Sequence, residues 1–345
     1  RRRAGMEQSV GGAFMFQPVV AFASTGYRPK AGLLLLAAWL ALQAVRSLAA
    51  NPPSDYDVRH ARTTRAVSPQ AAEQANAIAD LQAVAPGIRV KRDAVTASPR
   101  FIYTPEQFLT LSNGVGRTVS RASASSFSDR DPHRATKAFL LQHRKLFRHG
   151  PEALDAASVS REYVTAHNGL RSVVWEQQVD GIPVFEGLLI SHVTKHGELV
   201  SLSSRFMPEP RNAADRFLKG RNGLPANPTI SAALAVVLAA RDLGETLREE
   251  DVTSLEDLVN GPKSWRRFTA PVLRGETYVA MTWFPLDSEN LRLCWDVMLT
   301  GRTCGETFRV LVDADSGEIL LRRSLTFHIS NASYNVFTND SPTPI

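Results

Sequence analysis

The chain has 345 residues, of which 43% are hydrophobic and 21% charged, and a formal net charge of +6. Length and composition allow one large or two modest globular domains and exclude a wholly disordered polymer. Residues 1–50 carry six Lys/Arg against one Glu, so most of the surplus charge lies there and a nucleic-acid-binding reading loses its basis.

That leader, residues 1–50, reads as a signal peptide. Arg28 and Lys30 precede an apolar run at 31–45, and Ser47-Leu48-Ala49 then supplies small residues at the spacing a signal peptidase reads. The run is shorter than the roughly 20 residues a spanning helix needs, so cleavage at Ala49 or Ala50, no stable membrane span and a secreted, extracellular product are expected. The chain opens on Arg1-Arg2-Arg3, which places the expected start codon at Met6 or Met15. Only Cys294 and Cys304 are present, so no disulfide framework is expected; the two pair across a hairpin or stay free. Asn331-Ala332-Ser333 and Asn339-Asp340-Ser341 are glycosylation sequons, with meaning only in a eukaryotic secretory host.

Residues 51–130 read as an N-terminal lead, partly disordered and proline-marked at first. Ser68-Pro69 opens a short helix over 71–84, which Ala85-Pro86-Gly87 stops. β-type pieces follow at 88–90 and 100–103, and the Ser-rich stretch 120–128 reads as a loop. Asp131-Pro132 is the clearest helix start, because aspartate accepts a bond from an unpaired backbone N–H and proline has none to leave unpaired. That helix is expected to reach about residue 147, with Ala135, Ala138, Phe139, Gln142 and Leu146 on one stripe.

After a connecting segment the period changes to 2. Val173, Trp175, Gln177 and Val179 alternate with Ser172, Val174, Glu176 and Gln178, which suits a strand with one buried face. Asp180-Gly181 is a strong hairpin signal, and strands at 184–194 and 199–206 complete a meander around the His196-Gly197 turn. Residues 208–228, punctuated by Pro208, Pro210, Pro225 and Pro228, read as a linker. Thr229 then caps a helix over 230–243 that ends at Gly244, and 245–275 reads as an insertion. Strands at 277–284, 291–300 and 307–312 follow, with Asp315-Ser316-Gly317 turning into 318–321. The expected fold class is α+β: two successive helix-plus-antiparallel-meander units behind the signal peptide and the extended lead.

The stretch 131–207, through Gln177-Gln178-Val179-Asp180-Gly181-Ile182-Pro183-Val184-Phe185 and Gly197-Glu198-Leu199-Val200-Ser201-Leu202, resembles the FTP propeptide domain of fungalysin-family, thermolysin-like zinc metallopeptidases. Residues 229–325 resemble the PepSY domain through their alanine-rich helix and Val312-Asp313-Ala314-Asp315-Ser316-Gly317-Glu318-Ile319-Leu320. Residues 326–345, with Asn331 to Phe337, look like the start of a fungalysin catalytic domain. The resemblance implies a secreted pro-region that chaperones and inhibits its peptidase, truncated before the catalytic domain. It further implies a cognate catalytic domain as partner, zinc in that missing domain with no cofactor here, and processing between about Arg322 and Tyr334, with Arg322-Arg323 as a basic pair and Asn331 just beyond.

The residues themselves offer no catalytic constellation. H-E-x-x-H places two histidines on one helix face around zinc with glutamate as base, and none of the eight histidines is followed by glutamate. His192 and His196 have the spacing, but Val193 replaces the base and the segment reads as strand and turn. Asp313 and Asp315 lack the later glutamate of a calcium loop. Three readings therefore compete: a zymogen pro-region, a free-standing inhibitor or chaperone acting in trans on a metallopeptidase, and a secreted binding module unrelated to proteolysis.

Overall fold

The computed structural model describes residues 52–60, 69–220, 223–255 and 265–326. Strand β1 (Tyr56–Asp57) comes first, then helix α1 (Pro69–Val84), strands β2 (Arg89–Arg92) and β3 (Pro99–Tyr103), and helices α2 (Arg121–Ser125), α3 (Arg134–Gln142), α4 (Arg144–Phe147) and α5 (Glu152–Asp155). Strands β4 (Ser158–Val164), β5 (Arg171–Val179), β6 (Ile182–Val193) and β7 (Leu199–Ser204) follow. Helices α6 (Pro210–Leu218) and α7 (Ala232–Asp242) lead into β8 (Thr253–Ser254), β9 (Arg266–Thr269), β10 (Thr277–Pro285), β11 (Leu291–Thr300), β12 (Thr307–Asp313) and β13 (Ile319–Ser324). The class is mixed α+β, dominated by antiparallel strands. Among the described residues no helix is long and apolar enough to cross a membrane.

All thirteen strands belong to one sheet, whose main path runs β1-β13-β12-β11-β10-β6-β7-β3-β2, with β5–β4 branching from β6 and β9–β8 from β10. Every pairing is antiparallel except that of β6 with β10, which is parallel and matches Val184 to Trp283. Among the described residues this is the one strand pairing between the two meanders, which the sequence reads as separate units.

Alternation decides where the cores lie. Val173, Trp175, Leu189, Leu199, Leu202 and Ile102 point inward from the first meander onto Leu81, Phe139, Leu140, Leu146 and Phe147 of the helices. In the second, Val279, Trp283, Leu293, Trp295, Val297, Val310 and Val312 meet Ala235, Val236, Ala239 and Ala240 of α7 and Phe217 of α6. The small side chains of α7 let its axis approach the sheet. Ser231 caps that helix, its hydroxyl accepting from the Leu234 amide at 2.9 Å. On the opposite face of the second meander Val58, Phe185, Phe284, Cys294, Leu311, Leu320 and Leu321 form a third cluster.

The structure departs from the sequence reading at several points. The lead is folded where it is described: β1 pairs with β13, Tyr56 opposite Arg322 and Asp57 opposite Leu321. The Ser-rich 120–128 stretch contains α2, because Ser120 accepts from the Ser123 amide and starts a turn. The long helix breaks at His143, whose Nε2 lies 2.7 Å from the Thr118 carbonyl oxygen. β4 occupies part of the connecting segment. The 208–228 linker carries α6, with Pro210 at its first turn, a position where proline loses no bond. Ser231, not Thr229, is the cap of α7; the Thr229 hydroxyl instead donates to Asp315 at 3.1 Å. The leader with Ala49 and Ala50, and the segment with Asn331 and Tyr334, lie outside the described residues.

Candidate functional site

The hairpin between β5 and β6 turns on Asp180 (φ 51°) and Gly181 (φ 77°). Both central residues in the left-handed region give a turn whose twist matches that of the strands. A Cβ on Gly181 would meet nothing within 4 Å, so backbone conformation and not space favours glycine there. Asp180 also forms an ion pair with Arg211 at the start of α6.

Beyond the turn β6 bends. Its first leg, Ile182 to Val184, and the end of β5 touch the second meander: the Thr282 hydroxyl donates to the Pro183 carbonyl at 3.0 Å and Trp283 Nε1 donates to the Val179 carbonyl at 3.4 Å. Its second leg pairs with β5 and β7. Between them Glu186 sits at φ 55°, strained for a residue that carries a Cβ. Gly187 is needed next, since a Cβ there would lie 2.9 Å from Val184 Cβ and 3.1 Å from its carbonyl oxygen. Gln177 fills the gap opposite the bend. Its amide donates to the Met207 carbonyl and its oxygen accepts from the Met207 amide, both at 2.8 Å in the interior.

The bend aims Glu186 into a cluster of charges. Its carboxylate accepts from Arg205 at 2.7 Å and from Arg323 at 2.6 Å, and Arg205 lies 3.5 Å from Asp93. Burial raises the Glu186 pKa, but the bond from Arg323 and the charges of Arg323, Arg205 and Arg59 outweigh it and hold the carboxyl below its ordinary range. Beside it Arg309 binds the fully buried Asp296 with two bonds, at 2.8 and 2.6 Å, and stacks 4.6 Å over Phe185. Arg59 from the lead lies 4.6 Å over Phe284. The carboxylate therefore ties β6, the residue just past β7 and β13 together. Chemically the cluster is a clasp, with no nucleophile and base arranged for a reaction.

The Asp313, Asp315, Gly317 and Glu318 motif also has a mechanical role. Asp313 Oδ1 accepts from the amides of Asp315 and Ser316, each at 2.9 Å, while Arg292 Nε donates to Oδ2 at 2.8 Å. Gly317 (φ 77°) lets this turn pack below α7, where a Cβ would stand 3.0 Å from Leu238 Cδ1. Among the described residues no group of three or more His, Cys, Asp or Glu is arranged to hold a metal ion. His192 instead has Nδ1 2.8 Å from the Ser172 hydroxyl. Cys294 is buried and Cys304 half-buried, both free thiols.

Arg322 and Arg323 are not offered to a protease in this fold. They lie inside β13, hydrogen-bonded between β12 and β1, with Arg322 on Asp242 at 2.7 Å and Arg323 on Glu186. Cleavage favours exposed loop tips, so cutting here requires β13 to leave the sheet first. The sequence left Glu186, Gln177 and Gly187 without roles, although the three stand in or beside the propeptide-like motif.

Comparison with known families places this bend in context. The family model described as Fungalysin/Thermolysin Propeptide Motif matches residues 156–206, a span running from the residues before β4 to just past β7. Among solved structures the chain is similar to the Bacillus megaterium YpeB C-terminal domain at 14% identity, covering 76% of this chain and 100% of that one, with a TM-score of 0.24. A superposition that loose does not establish a shared fold. A search of curated proteins gives no significant match.

Proposed function

We propose that the chain is the pro-region of a secreted zinc metallopeptidase of the thermolysin or fungalysin type, serving as its folding chaperone and inhibitor. The observation that carries this reading is the propeptide-motif match at 156–206, which coincides with the bent-strand meander. The clasp around Glu186 supports it: a chaperone must hold a preorganised surface, and the Arg323–Glu186 pair, together with the β6–β10 pairing, holds the second meander against the first. The PepSY resemblance of 229–325 and the fungalysin resemblance beyond 326 belong to the same proposal. The partner is a catalytic domain that carries the zinc, reached in cis or, in the alternative reading, in trans.

The test is refolding. Denatured catalytic domains of thermolysin- and fungalysin-type peptidases are diluted into zinc- and calcium-containing buffer with and without the purified chain, which is then digested away before activity is assayed. The proposal expects a several-fold higher yield with the chain for at least one enzyme. Equal yields throughout, with no inhibition of the active enzymes, leave the binding-module reading instead.

A further inference from the structure

A second feature lies away from the clasp. A cavity of about 580 Å³ opens between the end of α1, the start of β2 and the loop at 104–111, within the size range of ligand pockets. The loop is pinned: the Leu109 amide donates to the Leu199 carbonyl at 2.7 Å, and the Leu199 amide donates to the Thr110 hydroxyl at 2.9 Å. Leu109 and Thr110 are thereby buried, and their neighbours Phe108 and Leu111 stay 49% and 67% exposed on the rim. Val84, at the end of α1, adds a further exposed apolar side chain nearby.

Arg89 and Arg117 also line the cavity, together with Glu106. Neither arginine has an ion-pair partner among the described residues. A pinned loop that holds two large apolar side chains in water, beside two guanidinium groups that outnumber the one carboxylate of the same lining, is an interface open to a complement. The complement is apolar and acidic. Because Phe108 and Leu111 stand on the rim, the occupant must cover more than the cavity, which favours a protein segment over a small molecule.

We propose that this groove receives a segment of a partner protein, which lays an aliphatic or aromatic side chain against Phe108 and Leu111 and pairs an aspartate or glutamate with Arg89 and Arg117. The inference rests on the pro-region reading above, under which the partner is the peptidase domain. Its chemistry departs from that of the Glu186 clasp, where every charge has a mate.

Two variants of the full chain test it, Phe108→Ser with Leu111→Ser and Arg89→Glu with Arg117→Glu. All four side chains contribute little to the core, and circular dichroism and urea midpoints confirm that each variant folds. Inhibition is measured against a panel of thermolysin- and fungalysin-type zinc peptidases, taking the enzyme the unaltered chain inhibits best. The proposal expects each variant to inhibit at least about tenfold less well, as for loss of interface anchors, and expects added salt to weaken the unaltered chain more than the charge-reversed one. Variants that inhibit like the unaltered chain overturn the groove and leave the pro-region reading intact. An unaltered chain that inhibits nothing overturns the pro-region reading itself. Sedimentation of the chain alone gives the last outcome: a dimer that both variants abolish makes a second copy the occupant and overturns the choice of partner.

Discussion

Replacing Glu186 by alanine and by glycine forms a matched pair that tests the bend. The left-handed conformation at φ 55° costs a residue with a Cβ about 1–2 kcal/mol and costs glycine nothing comparable. Both replacements lose the contacts to Arg205 and Arg323. The Glu186 side chain is 26% exposed and that of Arg323 39%, so solvent screening limits each pair to roughly 0.2–1 kcal/mol. Alanine therefore loses the two ion pairs and keeps the strain, a destabilisation of about 0.4–2 kcal/mol. Glycine loses the same pairs but relieves the strain, and lies roughly 1 kcal/mol above alanine. In an ordinary strand the order is the reverse, because glycine is worse than alanine by about 0.5–1 kcal/mol. Urea denaturation followed by tryptophan fluorescence reads the two midpoints. A Glu186→Ala protein more stable than Glu186→Gly would refute the left-handed bend and with it the account of Gly187.

Gln177→Leu leaves the Met207 amide and carbonyl buried without partners and is expected to lose about 1–3 kcal/mol for each, read from the same urea transitions; a loss under 1 kcal/mol contradicts the bonding described. His149 is buried between Phe147 and Phe206, with ring centroids at 5.7 and 5.9 Å. Burial drives its pKa below the ordinary value, against the Gly150 carbonyl and Glu152 and with Arg144. The unfolded chain then binds a proton at this site near pH 6.5 where the folded one does not, so stability is retained above that pH and falls as pH drops below it. His149→Phe is expected to make the fall shallower between pH 7 and 5, leaving the part due to His133, His143 and His192, whose pKa values burial also lowers; an unchanged slope counts against the assignment. Thiol labelling should modify Cys304 in the native protein and Cys294 only in urea, because burial pushes the Cys294 thiol well up and seals it off. Equal labelling rates in the native state contradict that placement.

What the sequence reveals follows the range of the interactions. The Asp180-Gly181 turn and the alternating Val173 to Val179 strand are local, and the structure shows both. Helix α1 follows from propensity, its expected cap Ser68 lying outside the described residues, and the alanine-rich α7 follows from propensity and capping, with its cap two residues past the expected one. What is not legible depends on distant partners. Glu186 takes its conformation because Val184 reaches Trp283, a pairing across the chain that no periodicity encodes. β1 has two residues and exists because β13 offers it an edge. α6 hides among prolines that signal a loop when read singly, yet Ala213, Ala214 and Phe217 lie on one buried face. The propeptide motif itself was readable, whereas its mechanical sense was not. Gln177, Glu186 and Gly187 acquire roles only when β6 is seen to bend.

The central claim is that this chain recognises and silences a zinc metallopeptidase. The most direct measurement adds the purified chain in increasing amounts to active fungalysin- and thermolysin-type peptidases and follows hydrolysis of a peptide substrate over time. The account predicts slow, tight, stoichiometric inhibition of at least one enzyme, ending as the chain is itself degraded. Undiminished hydrolysis by every enzyme, with the chain folded and in excess, contradicts it.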